Sequence, residues 1–172
     1  MQRRILAAIV GIGVVVITAA LVAQYGFGIR PCRLCRIERI PYVLAAVVAG
    51  LAMLPWAGTL ARRRVVAFAA AAFAINVVIA GYHVGVERHW WVSATCGSPE
   101  RTGGREASVP LTIAEMNRAI EKPVEMPCDV VQWSLFGLTF AGYNVLMSSG
   151  LAVALAWAAA RSRWWEEAGL VH

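Results

Sequence analysis

Apolar positions in this chain gather into four long runs, residues 5–23, 42–57, 65–86 and 135–160. A helix takes about 20 mainly apolar residues to cross a bilayer. A soluble chain of 172 residues would need one core rather than four continuous stripes. The pattern predicts an all-α membrane protein: a four-transmembrane-helix bundle forming a single polytopic domain over residues 1–172. The first run, behind Arg3-Arg4, covers 19 residues. That exceeds the roughly 7–15 of a signal-peptide core, so it is read as a retained crossing.

Loops 24–41 and 87–134 fall on one side of such a bundle, and residues 58–64, with Arg62-Arg63-Arg64, on the other. Pro31 suits the first position of a helix, where its missing N–H had no partner. Pro41 predicts a bend between that helix and the second crossing. In the long loop, Thr112-Ile113-Ala114-Glu115 matches a capping box, Ile113, Met116 and Ile120 recur at helical spacing, and Pro123 limits the helix. A short amphipathic helix is expected there, packed on the protein itself or lying on the membrane surface. Inside the crossings, Asn76 and Asn144 predict interhelical hydrogen bonds, and Gly81, Gly85 and Gly142 close helix packing. His83 is ionisable within a crossing and so a functional candidate; the alternative is a histidine bonded to a neighbouring helix.

Composition agrees: 59% of residues are hydrophobic and the mean hydropathy is +0.62, well above soluble domains. The net charge of +6 comes almost wholly from arginines flanking apolar runs, which reads as anchoring at membrane ends. No Lys/Arg-rich block, RNA-binding aromatic motif or zinc-finger spacing points to nucleic acid. Tyr25, Tyr42, Tyr82, Trp90, Trp91 and Trp133 mark one interface, Trp56, Trp164 and Trp165 the other. Basic residues do not decide the orientation, with seven on the side of the termini and nine opposite. The cysteines do: all four fall on one side, and persistent disulfides belong to an oxidising compartment. Both termini are therefore expected in the cytoplasm.

Cys32 and Cys35 form a Cys-x-x-Cys pair among Arg30, Arg33, Arg36 and Arg39. At a helix start the two lie on one side, within bridging reach. Neighbouring cations and a helix N-terminus favour the thiolate, the reactive species, so the pair reads as redox-active. Half a zinc site is the competing reading, but it needs a second close ligand pair. Cys96 and Cys128, 32 positions apart, offer none. Two cysteine pairs on one side of a membrane suggest an electron relay by thiol–disulfide exchange. With no haem, flavin or metal motif, a diffusible membrane quinone is the expected acceptor. Arg39, four residues after Cys35 and hence on the same helix face, would supply a cation beside it.

The stretch Pro31-Cys32-Arg33-Leu34-Cys35-Arg36-Ile37-Glu38-Arg39, the four runs and the second cysteine pair in a long loop resemble the bacterial disulfide bond formation protein B (DsbB) family, over nearly the whole chain. The resemblance implies a protein-disulfide:quinone oxidoreductase of the bacterial cytoplasmic (inner) membrane, its cysteines facing the periplasm. It would reoxidise a periplasmic thioredoxin-fold dithiol oxidase of the DsbA type and pass the electrons to ubiquinone or menaquinone. By position, Cys96 would take the partner's attack and Cys128 would exchange with Cys32. Cys35, as thiolate, would contact the quinone, and Arg39 would hold it. A histidine at the end of the third crossing is associated with the quinone in the better-known form. Residues 80–91 differ from that form, and His83 is favoured over His89 for the role. Glu38 is expected to pair with a nearby arginine.

A vitamin K epoxide reductase-like enzyme shares the chemistry, but there the Cys-x-x-Cys usually comes after the loop pair, and here it comes first. A transmembrane reductant carrier would need cysteines buried within its crossings. A non-enzymatic scaffold with structural disulfides would not need a reactive pair at membrane level.

Overall fold

The computed structural model describes residues 1–93, 96, 113, 126–161 and 165. The helices are α1 (Gln2–Leu21), α2 (Arg33–Ile37), α3 (Ile40–Ala52), α4 (Thr59–Glu87) and α5 (Phe140–Ala160). A π-helical turn, Val22–Gly26, extends α1, and a two-residue hairpin, β1 (Ser134–Leu135) and β2 (Leu138–Thr139), leads into α5. The capping-box helix expected after Thr112 lies outside the described residues, apart from Ile113.

Helix α1 rests mainly on α3 and α5 mainly on α4, with α3 joining the two pairs. All four contribute to one apolar core: Leu6 and Ile9, Tyr42 and Ala49, Val66 and Phe73, Leu155 and Ala158. Alanines recur where helices meet (Ala45, Ala49, Ala52, Ala69, Ala70), as close backbone approach requires where lipid offers apolar groups no incentive to leave it. The opposite faces stay apolar and exposed: Val14 and Val15 on α1, Val47 and Leu51 on α3, Ile75 and Val78 on α4, Val153 and Trp157 on α5. Such a continuous exposed apolar belt belongs in hydrocarbon.

Among the described residues, three helices are long and apolar enough to cross a membrane: Gln2–Gly26, counting the π turn, Thr59–Glu87 and Phe140–Ala160. Helix α3 has 13 residues, about 20 Å at 1.5 Å per residue, short of the roughly 30 Å hydrocarbon core. The expected second run, 42–57, is thus only partly helical, because the chain turns from Met53 onward ahead of Pro55.

Other boundaries move for local reasons. Pro41 lies in the first turn of α3, where it costs no hydrogen bond, so the chain breaks at Glu38-Arg39 instead of bending within one helix. Helix α4 begins at Thr59, which puts Arg62 and Arg63 inside it. Their Nε atoms donate to Ala52 O and Ala159 O, at 3.1 and 2.9 Å. Two arginines read as membrane anchors therefore cap the orphan carbonyls of α3 and α5. The fourth run starts at Phe140 rather than 135. Phe136 and Gly137 both have positive φ (50° and 77°), the signature of a two-residue hairpin turn, and Thr139 then caps α5 by accepting from Gly142 N–H.

Gly81 has open space beside it and Gly142 sits in the cap, so neither mediates helix packing. Gly85 makes room for the Trp91 indole, into which a Cβ would run, and it is Gly13 that brings α1 onto α3, with a Cβ there 2.8 Å from Ala46 Cβ. Tyr42, read as interfacial, is buried, as is Trp165. Trp164 lies outside the described residues.

Candidate active site

Gly28, at φ +68°, turns the chain out of the π turn and delivers Cys32 in extended conformation as the N-cap of α2. Pro31 is thus two residues before the helix, next to its N-cap, rather than its first position. Cys32 Sγ accepts the Cys35 N–H at 3.1 Å, the role a serine or aspartate oxygen plays in other caps. The same turn sets the two Sγ atoms 2.6 Å apart, unbridged.

Two segments of the long loop fold back onto this turn. After α4 the chain reverses at His89 (φ 60°), and Trp91 stacks on Tyr82 and donates to Tyr82 O. On the other side Gln132 Nε2 donates to Arg30 O at 2.7 Å. The loop cysteines are joined as a Cys96–Cys128 disulfide, and Cys128 N–H also donates to Cys96 O at 2.7 Å. Cys32, Cys96, Cys128 and Val86 form one buried cluster, with Leu34 and Cys35 against it. Both cysteine pairs thus share one desolvated nest.

Behind the pair runs a chain of buried polar groups. His83 Nε2 lies 3.6 Å from Cys32 Sγ, and His83 Nδ1 lies 2.7 Å from Glu38 Oε1. Asn144 Nδ2 donates to Glu38 Oε2 at 2.7 Å. Asn144 Oδ1 in turn accepts from Tyr42 OH and Asn76 Nδ2, and Asn76 also donates to Ser148 Oγ. Glu87 Oε1 stands 3.9 Å from His83 Nε2, while its Oε2 accepts from Thr139 Oγ1. Helices α3, α4 and α5 and the two caps of α2 contribute to this network, in which Asn76 Oδ1 is left without a hydrogen-bond partner among the described residues.

Cys32 is pulled below its ordinary value, first by the Cys35 thiol donating to it, against the opposing effect of burial, and then by the Cys35 backbone amide. Cys35 is pushed up because it holds the shared proton for Cys32, and burial adds to this. The first thiolate is therefore on Cys32. The arginines are not its main support: Arg30, Arg33 and Arg36 are exposed at the rim, where solvent and salt screen them.

A cavity of about 290 Å³ opens beside the pair, lined at its polar end by Cys32, Cys35, Glu38, Arg39 and His83 and elsewhere by Val16, Ala19, Ala20, Phe140 and Met147. A profile of the disulfide bond formation protein DsbB family matches residues 2–158. The chain belongs to that family. No curated protein and no solved structure matches. Membership makes the protein a multi-pass membrane disulfide oxidoreductase, and the two cysteine pairs fit that chemistry.

The structure brings Cys32, Cys35, Cys128, Arg39 and His83 to one cavity, with Cys96 bridged at its edge. Arg39 reaches it not from the cysteine helix but as the N-cap of α3, its Nη1 held by Gln24 Oε1 at 3.1 Å. His89 is exposed and bonds toward Val86 O, away from the cavity. Glu38 pairs with His83 and Asn144, not with a neighbouring arginine, because its side chain is buried. Asn76 and Asn144 make the interhelical bonds expected of them. Glu38, Tyr42, Glu87 and Ser148 were missed as parts of the site. A carboxylate or hydroxyl at membrane depth is itself the signal that finds such groups.

Proposed function

We propose that the protein reoxidises a periplasmic thioredoxin-fold dithiol oxidase of the DsbA type and delivers the electrons to a membrane quinone, ubiquinone or menaquinone. The observation that carries this reading is the shared nest. Cys32 is buried with the Cys96–Cys128 bridge on one side and, with Cys35, borders the cavity on the other. The partner's thiolate attacks Cys96 Sγ, breaking the Cys96–Cys128 bond and forming a mixed disulfide. The partner's second thiolate then frees Cys96 and completes the partner's disulfide. Cys128, as thiolate, attacks Cys32 of a Cys32–Cys35 disulfide and expels Cys35 as thiolate. Attack of Cys96 on the Cys32–Cys128 bond restores the loop disulfide and leaves Cys32 and Cys35 carrying both electrons. While Cys32 is bonded to Cys128, it no longer demands Cys35's proton, so the largest influence that raises Cys35 is gone.

The cavity fits a quinone: the polar end suits ring oxygens, and the wall of Val16, Ala19, Ala20 and Met147 suits an isoprenoid chain. Bound there, the quinone supplies a two-electron, two-proton sink. Arg39, steadied by Gln24, offers a fixed cation to an oxygen bearing negative charge. His83 Nε2 takes the proton of Cys32, while Glu38 on Nδ1 orients the ring. We further propose that α3 completes a fourth crossing, with both termini cytoplasmic and the cysteines periplasmic.

The test uses purified protein in detergent, a reduced dithiol oxidase and a soluble quinone analogue, following quinone absorbance and the partner's thiol titre. Quinone-dependent oxidation of the partner, lost in Cys35→Ser and Cys96→Ser, is expected. A partner that stays reduced with quinone present overturns the reading.

A further inference from the structure

We infer that Cys32, Cys35 and His83 form a site for a borderline-soft divalent cation, zinc above all, which binds the dithiol state and arrests it. The inference does not depend on which acceptor takes the electrons. The sequence lacked a second cysteine pair close to the first; the fold supplies a different third ligand, from α4. Sγ of Cys32, Sγ of Cys35 and Nε2 of His83 all lie within 4.8 Å of one another.

The geometry is close to what zinc requires. With Zn–S of about 2.3 Å and Zn–N of about 2.0–2.1 Å, tetrahedral angles place sulfur and nitrogen about 3.6 Å apart. Cys32 Sγ and His83 Nε2 are 3.6 Å apart. Two zinc-bound sulfurs sit about 3.8 Å apart by the same arithmetic, so the 2.6 Å pair must open. Half-buried Cys35 can open it by rotating, while Cys32 stays fixed by the Cys35 N–H. Glu87 Oε1, 3.9 Å from Nε2, stands near a fourth ligand position, and Thr139 bonds its other oxygen.

The second observation pointing to a metal is the far side of the ring. Glu38 Oε1 lies 2.7 Å from His83 Nδ1, which leaves Nε2 free to face the sulfurs. A carboxylate behind a histidine is the arrangement that fixes the tautomer and orientation of zinc-binding imidazoles. Binding balances simply: one M²⁺ replaces the protons of two thiols, two Sγ–metal bonds form, and no electrons move. A sulfur held this way is not free to attack a disulfide, and the Cys32–Cys35 disulfide has no thiolate to offer. Zinc therefore selects the reduced pair.

The test is a metal titration without turnover. The full chain carrying Cys96→Ser and Cys128→Ser, reduced with a phosphine and desalted, is titrated with Co²⁺ in detergent. One equivalent is expected to produce tetrahedral d–d bands and thiolate-to-cobalt charge transfer, both abolished by one equivalent of Zn²⁺ and absent after oxidation of the pair. Glu38→Gln should keep the spectrum and weaken affinity about 10–100-fold. His83→Gln should change the spectrum and weaken affinity at least as much. Thermal unfolding without metal identifies any variant that fails to fold, and Glu38→Gln then stands in for it. Absence of a stoichiometric spectrum, or equal affinity with and without His83, overturns the site. In wild type, Zn²⁺ should slow turnover and a chelator restore it; metal binding with no quinone turnover leaves this site standing and sinks the quinone reading alone.

Discussion

Cys32 Sγ caps a helix, accepts a hydrogen bond from its neighbour's thiol and packs against the loop disulfide, so its reactivity depends on who donates to it. The Cys35 thiol is the largest lowering influence and burial the main opposing one. Cys35→Ala removes the donor and leaves the burial, so the pKa of Cys32 rises and its thiolate fraction at pH 7 falls. A hydrogen bond to a charged acceptor is worth about 1.5–3 kcal/mol, so losing it disfavours the thiolate. Alkylation of Cys32 at pH 7 should therefore slow, and the midpoint of its rate–pH profile should move up. Cys35→Ser, which keeps a donor, should show a smaller shift; equal rates in both variants would remove Cys35 as the cause. At this scale the reactive pair was legible from its spacing and its place at a helix start. Its supporting groups were not: Glu38 meets a histidine 45 positions on and an asparagine 106 positions on. No local pattern encodes those separations, whereas Arg36 and Arg39 lie next door and invite the wrong pairing.

Elements were legible where they are long and apolar, and less so at their ends, where one cap or turn decides. Pro41 was read as a bend, yet it serves in the opening turn of α3, and the real break falls at Glu38-Arg39 before it. Glycines were harder, since a stripe of small residues does not say which one touches a neighbour. Gly11 has open space and Gly13 abuts Ala46, which predicts opposite signs for one substitution. Gly11→Ala should stabilise by about 0.5–1 kcal/mol through helix propensity. Gly13→Ala should lose more than that gain, because α1 must move off α3, as read by thermal unfolding in detergent. Between elements, Asn144 ties α5 to α3 and α4. Asn144→Leu leaves Tyr42 OH and Asn76 with fewer acceptors. Hydrogen bonds in bilayers average about 0.6 kcal/mol each, so a loss of about 1–2 kcal/mol is expected in denaturant titration. A neutral result would mean that the hydroxyl and amide repair themselves through Ser148.

Across the whole molecule, the cavity lies between α1 and α5, each of which packs mainly on a different partner. Ala20→Phe narrows that space without touching a cysteine. It should raise KM for a quinone analogue about tenfold, roughly the 1.4 kcal/mol that one well-placed obstruction costs. Mixed-disulfide formation at Cys96 should be unchanged; a fall in both would relocate the quinone or the nest. The opposite end is built differently. There Arg62 and Arg63, side by side on α4, grip the last carbonyls of α3 and α5. The bundle is thus pinned at that end, with α3 and α5 both tied to α4. Helix α1 has no share in that grip, so a cavity bounded by α1 on one side and α5 on the other has one wall pinned to α4 at its far end and one that rests on α3.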